Sequence, residues 1–421
     1  MKGILYSTVA IHRHAQEMAR ALEENANLRL WHTGWLHAPE SSFFAKRLES
    51  LAGTHPLLSK SLARRRLAYP SRVPLRMRRA GEMGEILCGK LLKKRLWADR
   101  IWEWQEKSLA KEAAQLLKSG KFSAYLGLEH GTLEAIKACK DLDIRTCLVF
   151  TSPHHAFRKK WVEDLAREHG IPISDEEDEL LRRGVERDQR RDEEMEFADL
   201  IRTNSTLVSQ TLIAGGANPK RVVSVPLGAD IHGIQPLRPR KNGEAIRFIV
   251  SGPVSLRKGA YFVLQAWKKL RPKGATLHFY GSIQMEMRDE DKRLMGVTFY
   301  GNRPQAEVQE AYRNAHVLIF PTLCDGFGMV VPEAMVAGCA VITTRNAGAA
   351  DWIEEEKNGW KVEAGSVTAM MEVIQKALDA GLKLEEMRKA AQATAKQNSW
   401  GDFRDRFVQT LTEQRFINPP S

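Results

Sequence analysis

The sequence predicts an α/β protein with two doubly wound, Rossmann-like domains that face each other across a cleft. Strand-length apolar runs alternate with helical patterns, and this alternation occurs twice along the chain. A polar stretch rich in Pro and bases, PLRPRKNG at 236–243, separates the two series and is the best linker candidate. The length of 421 residues also exceeds what one hydrophobic core usually organises. We therefore expect a first domain at 1–235, a second at 236–398, and a C-terminal helix at 399–421 that returns to the first domain.

The first series is justified by apolar runs and one-sided helices. Met18, Ala19 and Leu22 recur at helical spacing and predict a helix at 14–22. Acids and bases follow each other along 174–197, which predicts a long solvated helix. In chain order the predicted strands are 3–7, 28–32, 124–128, 147–150, 200–202 and 222–225, and the predicted helices are 14–22, 102–117, 133–140, 174–197 and 207–214.

The second series follows the same alternation after the linker. Its apolar runs have strand length, and Pro332 suits the first turn of a helix because its fixed φ and missing N–H cost nothing there. In chain order the predicted strands are 246–251, 276–280, 297–300, 317–320 and 340–343, and the predicted helices are 260–270, 304–314, 332–337, 367–380 and 384–397.

The positive charge of the chain is concentrated in one segment. Residues 60–100 contain thirteen Lys and Arg against three Asp and Glu, whereas the whole chain has a formal net charge of +12. Leu and Trp side chains are interleaved with these bases, which suits a surface lying on anionic lipid, a nucleic-acid surface, or a plain solvated face. We predict a basic insertion at about 37–100 that contacts an anionic membrane peripherally, with nucleic acid as the less favoured partner.

Composition excludes several classes of protein. The chain is 43% hydrophobic and 28% charged, as in ordinary globular proteins and unlike disordered or fibrous ones. No apolar run approaches the roughly 18 residues of a membrane-spanning helix, and the apolar start is too short for a signal peptide. We therefore expect a cytoplasmic protein, with any membrane contact at the inner face. The five cysteines have no C-x-x-C pair and no His spacing that suits zinc, which predicts reduced thiols and no metal site.

The stretch most informative about function is the loop at 321–329, between strand 317–320 and helix 332–337. Loops after the carboxyl ends of parallel strands bind ligands in open α/β sheets. Backbone N–H groups here suit sugar hydroxyls or an anion, and the carboxylates of Asp325 and Glu333 suit a polyol. Alternatively, Asp325 only shapes the turn and Glu333 only complements the helix dipole. The residues alone leave both interpretations open.

This loop resembles the acidic motif of glycosyltransferase family 4, which comprises retaining, nucleotide-sugar-dependent enzymes with the GT-B fold. Asp325 is followed after seven residues by Glu333, with Gly-Phe-Gly between them and Glu-Ala-Met-x-x-Gly-x-x-Val-Ile from Glu333 onward. The first acid is Asp where the family usually has Glu. The resemblance covers about residues 198 to 400 and is only topological before that. Its other landmarks are Ala-Asp-Leu at 198–200, Asn-Ser at 204–205, Val-Pro-Leu-Gly-Ala-Asp at 225–230, Gly252 with Lys-Gly at 258–259, Gly-Trp at 359–360 and Ser-Trp at 399–400.

The resemblance implies that the first domain binds the acceptor and the second binds the nucleotide sugar. Glu333 would bind the ribose hydroxyls of the donor nucleotide. Asp325 would hold the transferred sugar together with the backbone of Gly326, Phe327 and Gly328. The remaining donor contacts implied are Met329 beside the same loop, Gly252 in the phosphate-binding turn, and Tyr300 in the segment that faces the base.

Lys258 and Arg257 are the cations expected to hold the diphosphate. Many family members have an Arg directly after the glycine at Gly252, whereas this chain has Pro253, so Arg257 is the substitute we expect. Two adjacent cations at a helix start suit a departing diphosphate independently of any family, because the helix dipole and both charges act in one place. As plain solvated residues they would oppose the helix dipole.

Histidines at the strand ends of the first domain are candidates for the acceptor side. His12 and His14 follow the first strand, although a lone His is more often structural. The resemblance implies that a His from this domain contacts the transferred sugar or the acceptor, and it leaves His130, His154 and His155 open. We place His154 with Asp325, Lys258 and Arg257 among the catalytic candidates and keep His12, His14, His130 and His155 as acceptor-side candidates.

Together these patterns predict a retaining GT-B glycosyltransferase that moves a sugar from a UDP- or GDP-linked donor to a hydroxyl of a saccharide or lipid-linked acceptor, as in cell-surface polysaccharide or glycolipid synthesis. No metal or other cofactor is expected to be obligatory, because Lys and Arg supply the charge. Two alternatives stay open: a nucleotide-sugar epimerase on the same fold, and an inactive basic protein that binds membrane or nucleic acid.

Overall fold

The structure is a computed structural model that describes residues 2–9, 11–37, 50, 65–67, 71–78, 81, 83, 84, 88, 94–171, 175–241 and 243–417. Most of the basic insertion predicted at about 37–100 lies outside the described residues, including Arg64, Arg79, Lys90 and Lys93. The described part contains two parallel sheets, each surrounded by helices, in agreement with the predicted fold class.

The first sheet has seven parallel strands in the order β3-β2-β1-β4-β5-β6-β7. They are β1 (Gly3–Thr8), β2 (Leu28–Thr33), β3 (Leu75–Met77), β4 (Phe122–Leu128), β5 (Arg145–Phe150), β6 (Leu200–Thr203) and β7 (Val222–Ser224). Tyr6 and Leu126 belong to one apolar cluster, while their neighbours Leu5 and Tyr125 belong to another. Both faces of this sheet are therefore buried, which explains why its strands are nearly continuous apolar runs.

Helices connect these strands, and their ends follow from local side chains. Ser205 precedes α7, where its Oγ accepts a hydrogen bond from Val208 N at 3.2 Å. Glu194 is fully buried in α6 and accepts N–H bonds from Thr132 and Leu133 at the start of α3. The expectation of a wholly solvated helix at 174–197 is therefore wrong. The helices are α1 (Arg13–Glu24), α2 (Arg95–Leu117), α3 (Leu133–Asp141), α4 (His155–Arg158), α5 (Leu165–Glu168), α6 (Asp175–Phe197) and α7 (Thr206–Ala214), with a π-helical segment at Lys159–Asp164.

The second sheet has six parallel strands in the order β10-β9-β8-β11-β12-β13. They are β8 (Ile246–Ser251), β9 (Ala275–Tyr280), β10 (Val297–Gly301), β11 (Val317–Phe320), β12 (Ala340–Thr344) and β13 (Gly359–Val362). Its helices are α8 (Ala260–Leu270), α9 (Asp289–Lys292), α10 (Gln305–Asn314), α11 (Val330–Val336), α12 (Val367–Asp379) and α13 (Leu382–Lys396). Nowhere in the described chain is a helix both long enough and apolar enough to cross a bilayer.

The chain passes between the domains twice. The first passage lies between β7 and β8, and the second leads from α13 to the last helix, α14 (Trp400–Glu413). Ala229 N donates to Asn398 O at 2.8 Å, and Trp400 N donates to Ala229 O at 3.1 Å, so the two passages are hydrogen-bonded to each other. Helix α14 packs against α1 of the first domain, where Arg404 NH1 lies 2.6 Å from Glu17 Oε2.

Candidate functional site

The turn after β8 and the loop after β11 meet at one edge of the second sheet. These strands are parallel neighbours, so their carboxyl ends deliver residues 252–259 and 321–329 side by side. Gly259 has a φ of 73°, and a Cβ atom there would lie 1.8 Å from the Pro321 carbonyl oxygen. Leu323 N also donates to the carbonyl of Arg257 at 2.9 Å. The two segments therefore form one unit, which requires glycine at 259.

Three charged side chains of this unit form a cluster. Lys258 Nζ makes an ion pair with Asp325 Oδ2 and lies 5.0 Å from the centre of the Phe320 ring. Arg257 NH1 donates to Cys324 O at 3.1 Å and lies 3.5 Å from the same Asp325 oxygen. The Lys258 side chain is 17% exposed and that of Arg257 is 45% exposed. An anion that binds both cations would therefore compete with Asp325 for them.

Glu333 lies in the first turn of α11 and has a different environment. Burial raises the pKa of its carboxyl to about 7, and the side chain of Gln305 is a hydrogen-bond partner. Glu333 lines a cavity of about 780 Å³, together with Gln305, Gln309 and Met329. A desolvated carboxyl in such a cavity gains from hydroxyl donors, since hydrogen bonds to its charged form offset the cost of burial.

The Gly-Phe-Gly stretch packs against the first domain. The Gly326 carbonyl accepts a hydrogen bond from Ser205 Oγ at 2.7 Å, and a Cβ atom at Gly326 would lie 1.7 Å from the Thr151 carbonyl oxygen. Phe327 is buried, and its N–H donates to Asp325 Oδ1 at 3.3 Å. In this arrangement the backbone of Gly326 belongs to the contact between the domains, while the N–H of Phe327 helps to orient Asp325.

Gly252 and Gly328 belong to this unit, whereas Tyr300 lies at the end of β10. Gly252 has a φ of 111°, and its N–H donates to Tyr280 O at 2.9 Å, which joins the end of β8 to β9. Gly328 has a φ of 92°, a conformation that favours glycine. Tyr300 stacks on Tyr280 with ring centres 4.5 Å apart and is not one of the described residues that line the cavities at Glu333 and Asp325.

Asp325 lines a second cavity, of about 510 Å³, that lies between the domains. The first domain contributes Trp102 of α2 and three arginines, Arg158, Arg187 and Arg191, to its wall. The two acids of the sequence motif therefore line different cavities, because Glu333 belongs to the larger one.

The sequence analysis did not identify the three arginines, because two of them lie in the helix predicted to be solvated. A glycine within the helix was the one feature of the sequence that could have pointed to this wall. A Cβ atom at Gly184 would lie 3.8 Å from Arg187 Nη2 and 3.9 Å from Arg158 Nη2. Arg191 is buried and pairs with Glu129, which also accepts N–H bonds from the segment after β5. This network fixes the first-domain wall of the cavity.

Among the histidines that the structure describes, His130 is the one that lines the interdomain cavity. It follows β4 with a φ of 76°, and its ring contacts Trp102 edge to face at 5.4 Å. Burial lowers the pKa of His130 to about 4, so its imidazole is neutral at physiological pH. A neutral imidazole at this place suits a hydrogen bond to a sugar hydroxyl.

His154 and His155 are engaged with α6 and are not among the described residues that line that cavity. The Nε2 atoms of both rings lie 3.0 to 3.2 Å from carboxylate oxygens of Asp192. Ala156 N donates to His154 Nδ1, so the ring proton of a neutral His154 is on Nε2 and points to Asp192. These three side chains are close enough together to bind a metal ion, but the protonated Nε2 of His154 makes hydrogen bonding the better account.

His12 and His14 lie at the start of α1, with ring centres 5.7 Å apart. Burial, together with His12 and Arg202, holds the pKa of His14 well below its usual value. The residue between them, Arg13, lines the cavity at Glu333. The start of α1 therefore reaches the larger cavity through Arg13, a residue that the sequence analysis did not single out.

Known proteins resemble this chain in part of its sequence and in its fold. Residues 245–380 match the family model described as glycosyl transferases group 1. The fold is similar to that of Anabaena Alr3699/HepE in complex with UDP and glucose, with a TM-score of 0.55 and 16% identity over 98% of this chain and 100% of that chain. It is also similar to that of sucrose-phosphate synthase from Thermosynechococcus elongatus, with a TM-score of 0.64 and 16% identity over 99% of both chains. The fold is GT-B.

Curated relatives match over shorter stretches. The capsular polysaccharide biosynthesis glycosyltransferase CapM of Staphylococcus aureus is 30% identical over 134 residues, which are 30% of this chain and 35% of CapM. The putative colanic acid biosynthesis glycosyltransferase WcaL of Salmonella typhimurium is 23% identical over 224 residues, which are 48% of this chain and 52% of WcaL. The chain thus spans about half or less of the length of these two relatives.

Proposed function

We propose that this GT-B protein is a retaining glycosyltransferase that uses a nucleotide diphosphate sugar, linked to UDP or GDP, to glycosylate a saccharide or lipid-linked acceptor. The observation that carries the proposal is the cluster of Lys258, Arg257 and Asp325 at the joint carboxyl edge of β8 and β11. The match of residues 245–380 to glycosyl transferases group 1 supports it. So does the fold shared with a protein solved in complex with UDP and glucose.

In the proposed reaction, Lys258 and Arg257 receive the negative charge that develops on the departing diphosphate. Cations fixed beside a leaving group stabilise the transition state without reorganising, and these two are already held by Asp325 and by the Cys324 carbonyl. Asp325 stays beside these two cations and accepts hydrogen bonds from the sugar as it becomes cationic. Two cations at the leaving group are also why we expect no obligatory metal.

The acceptor is proposed to enter the 510 Å³ cavity between the domains. Its first-domain wall holds neutral His130 and the arginines Arg158 and Arg187 opposite Asp325. Relatives named for capsular polysaccharide and colanic acid biosynthesis support an acceptor of the polysaccharide type. We also propose that the protein acts at an anionic membrane surface on the cytoplasmic side.

The test is a panel of UDP- and GDP-linked sugars incubated with the purified chain and saccharide or lipid-linked acceptors. We expect one donor to raise the melting temperature, and mass spectrometry to detect free nucleoside diphosphate with a glycosylated acceptor whose anomeric configuration is retained. An altered nucleotide sugar with no transfer would support an epimerase instead. No stabilisation by any donor would contradict the transferase proposal.

Glu333→Gln is expected to weaken donor binding by about 1.5 to 3 kcal/mol, the usual scale for a hydrogen bond to a charged group. The amide keeps the shape of the carboxyl but replaces one acceptor by a donor. Isothermal titration of the donor measures the loss. Asp325→Asn is the matched variant, because we expect it to lower turnover more than affinity. Unchanged donor affinity in Glu333→Gln would contradict the ribose role.

Donor affinity should also depend on pH through Glu333. Its pKa of about 7 is raised by burial, and ribose hydroxyls bind the ionised form better. Lowering the pH from about 8 to about 5.5 protonates Glu333, so the affinity should fall toward acid and level off below the pKa of the donor complex. Titrations of a diphosphate diester donor across this range measure the slope. His232 lines the same cavity, so Glu333→Gln is the control. If the donor affinity of this variant still depends on pH in the same way, the pH dependence does not come from Glu333.

A further inference from the structure

Helix α2 presents an outer face with an unusual composition. Trp97 is 56% exposed and Trp104 is 53% exposed, seven residues apart on the same side of the helix. Arg100 and Lys111 are also exposed and fall on this side. Large aromatic side chains exposed in pairs usually mark a contact surface.

The acids of the same helix are turned away from this face. Asp99 pairs with Arg183 and Arg187 of α6, and Glu103 pairs with Arg183. Glu112 pairs with two arginines beside and within β3, and Glu106 is buried. Helix α2 contains four acids and four bases, but the acids are neutralised inside while Arg100 and Lys111 face outward. The outer face is therefore cationic although the helix as a whole is neutral.

Each exposed tryptophan also has a guanidinium group over its ring. Arg100 lies 5.9 Å from the Trp97 ring centre, and Arg78 lies 6.0 Å from that of Trp104. An aromatic ring next to a cation matches the lipid head-group region, where tryptophan is enriched and anionic phosphates attract bases. It suits single-stranded nucleic acid less well, because a guanidinium group covers one face of each ring and leaves a single face for stacking with a base.

We propose that the outer face of α2, formed by Trp97, Arg100, Trp104 and Lys111, lies on an anionic lipid bilayer. The tryptophan rings sit at head-group depth, and the bases contact lipid phosphates. The basic segment at 60–100, with its local charge of +10, adds to the attraction. Trp102, on the opposite side of α2, lines the interdomain cavity, so the helix separates that cavity from the proposed lipid contact. The docking does not depend on the proposed transferase activity.

The experiment measures binding of the full chain to vesicles of phosphatidylcholine alone and of an equal mixture of phosphatidylcholine and phosphatidylglycerol. We expect sedimentation with the anionic vesicles only, and quenching of tryptophan fluorescence by brominated phosphatidylcholine in the mixture. The double variant Trp97→Ser, Trp104→Ser should lose at least about tenfold in vesicle affinity, since binding scales with apolar area and charge. Arg100→Gln with Lys111→Gln should lose a similar amount and keep both tryptophans.

The matched control is Met295→Ser with Leu382→Ser, which removes two exposed apolar side chains from the second domain, 92% and 86% exposed. It should bind vesicles like the wild type. All variants should retain wild-type nucleotide-sugar binding, which separates this proposal from the proposed function. Wild-type protein that ignores anionic vesicles at low salt, or α2 variants that bind them normally, would overturn the proposal. Binding of a poly(dT) oligonucleotide that is lost in the tryptophan variant would assign the face to nucleic acid.

Discussion

Lys258→Ala is expected to lower turnover at saturating donor by about a hundredfold or more, the scale for losing one preorganised electrostatic group. The diphosphate gains negative charge as its bond to the sugar breaks, so a fixed cation acts more on the transition state than on the bound donor. Lys258 fits this role because Asp325 and the ring of Phe320 hold its ammonium group in place. Steady-state turnover and affinity for the free nucleoside, measured together, test the expectation, and the nucleoside affinity should survive.

Arg257→Ala is the matched variant, since it removes the neighbouring and more exposed cation. We expect a smaller but measurable loss of turnover. If Arg257→Ala matches the wild type while Lys258→Ala is inactive, Arg257 is only a surface residue, and Arg158 and Arg187 become the candidates for the second cation. Normal turnover of Lys258→Ala would remove the diphosphate role altogether.

Gly326→Ala is expected to reduce turnover by about a hundredfold, because a displacement of reacting groups by about 1 Å can lower the rate by about that factor. The new methyl group would lie 1.7 Å from the Thr151 carbonyl oxygen of the first domain, so the domains must separate or the loop must distort. The bond from Ser205 Oγ to the Gly326 carbonyl would be strained as well. The melting temperature should fall as well, because one apolar cluster extends through both domains and contains Tyr6 and Phe327. Turnover, donor affinity and thermal unfolding of the variant are the measurements.

Gly243→Ala provides the control for Gly326→Ala. Gly243 has a φ of 74° in the linker, and a Cβ atom there would meet nothing within 4 Å. This substitution should cost about 1 kcal/mol of stability from backbone strain and leave turnover intact. A Gly326→Ala enzyme with wild-type turnover would show that the contact between Gly326 and Thr151 is not part of the reactive arrangement.

Five of the six strands of the second domain were predicted to within one residue at each end, because their apolar runs are clearly bounded, whereas β13 was not predicted. The predicted strands at 246–251 and 317–320 and the helix at 260–270 match β8, β11 and α8. β3 was not predicted, since the alternation of Leu75, Arg76 and Met77 is only three residues long and lies in the basic stretch assigned to an insertion. It is held by ion pairs from Arg76 and Arg78 to Glu112, more than thirty residues away along the chain. Local periodicity carries no information about such a partner.

The candidate site also has a part that the sequence could predict and a part that it could not. Asp325 and Lys258 could be placed together from sequence, because parallel neighbouring strands deliver their loops to one edge. The first-domain wall could not, since Arg158 and Arg187 reach the cavity through the packing of α4 and α6 and not through a motif. The sequence also did not decide among the histidines. The structure favours His130 over His154, because His130 lines the interdomain cavity.

The hydrogen bonds between the two interdomain passages have a mechanical consequence. Ala229 is hydrogen-bonded to Asn398 and Trp400, so the two passages are joined at this point. A change in the angle between the domains must therefore deform both passages together or break these bonds. Ala229, Asp230 and Trp400 also line the cavity at Glu333. A nucleotide in that cavity would contact the joined passages, so its occupancy and the angle between the domains would be thermodynamically linked.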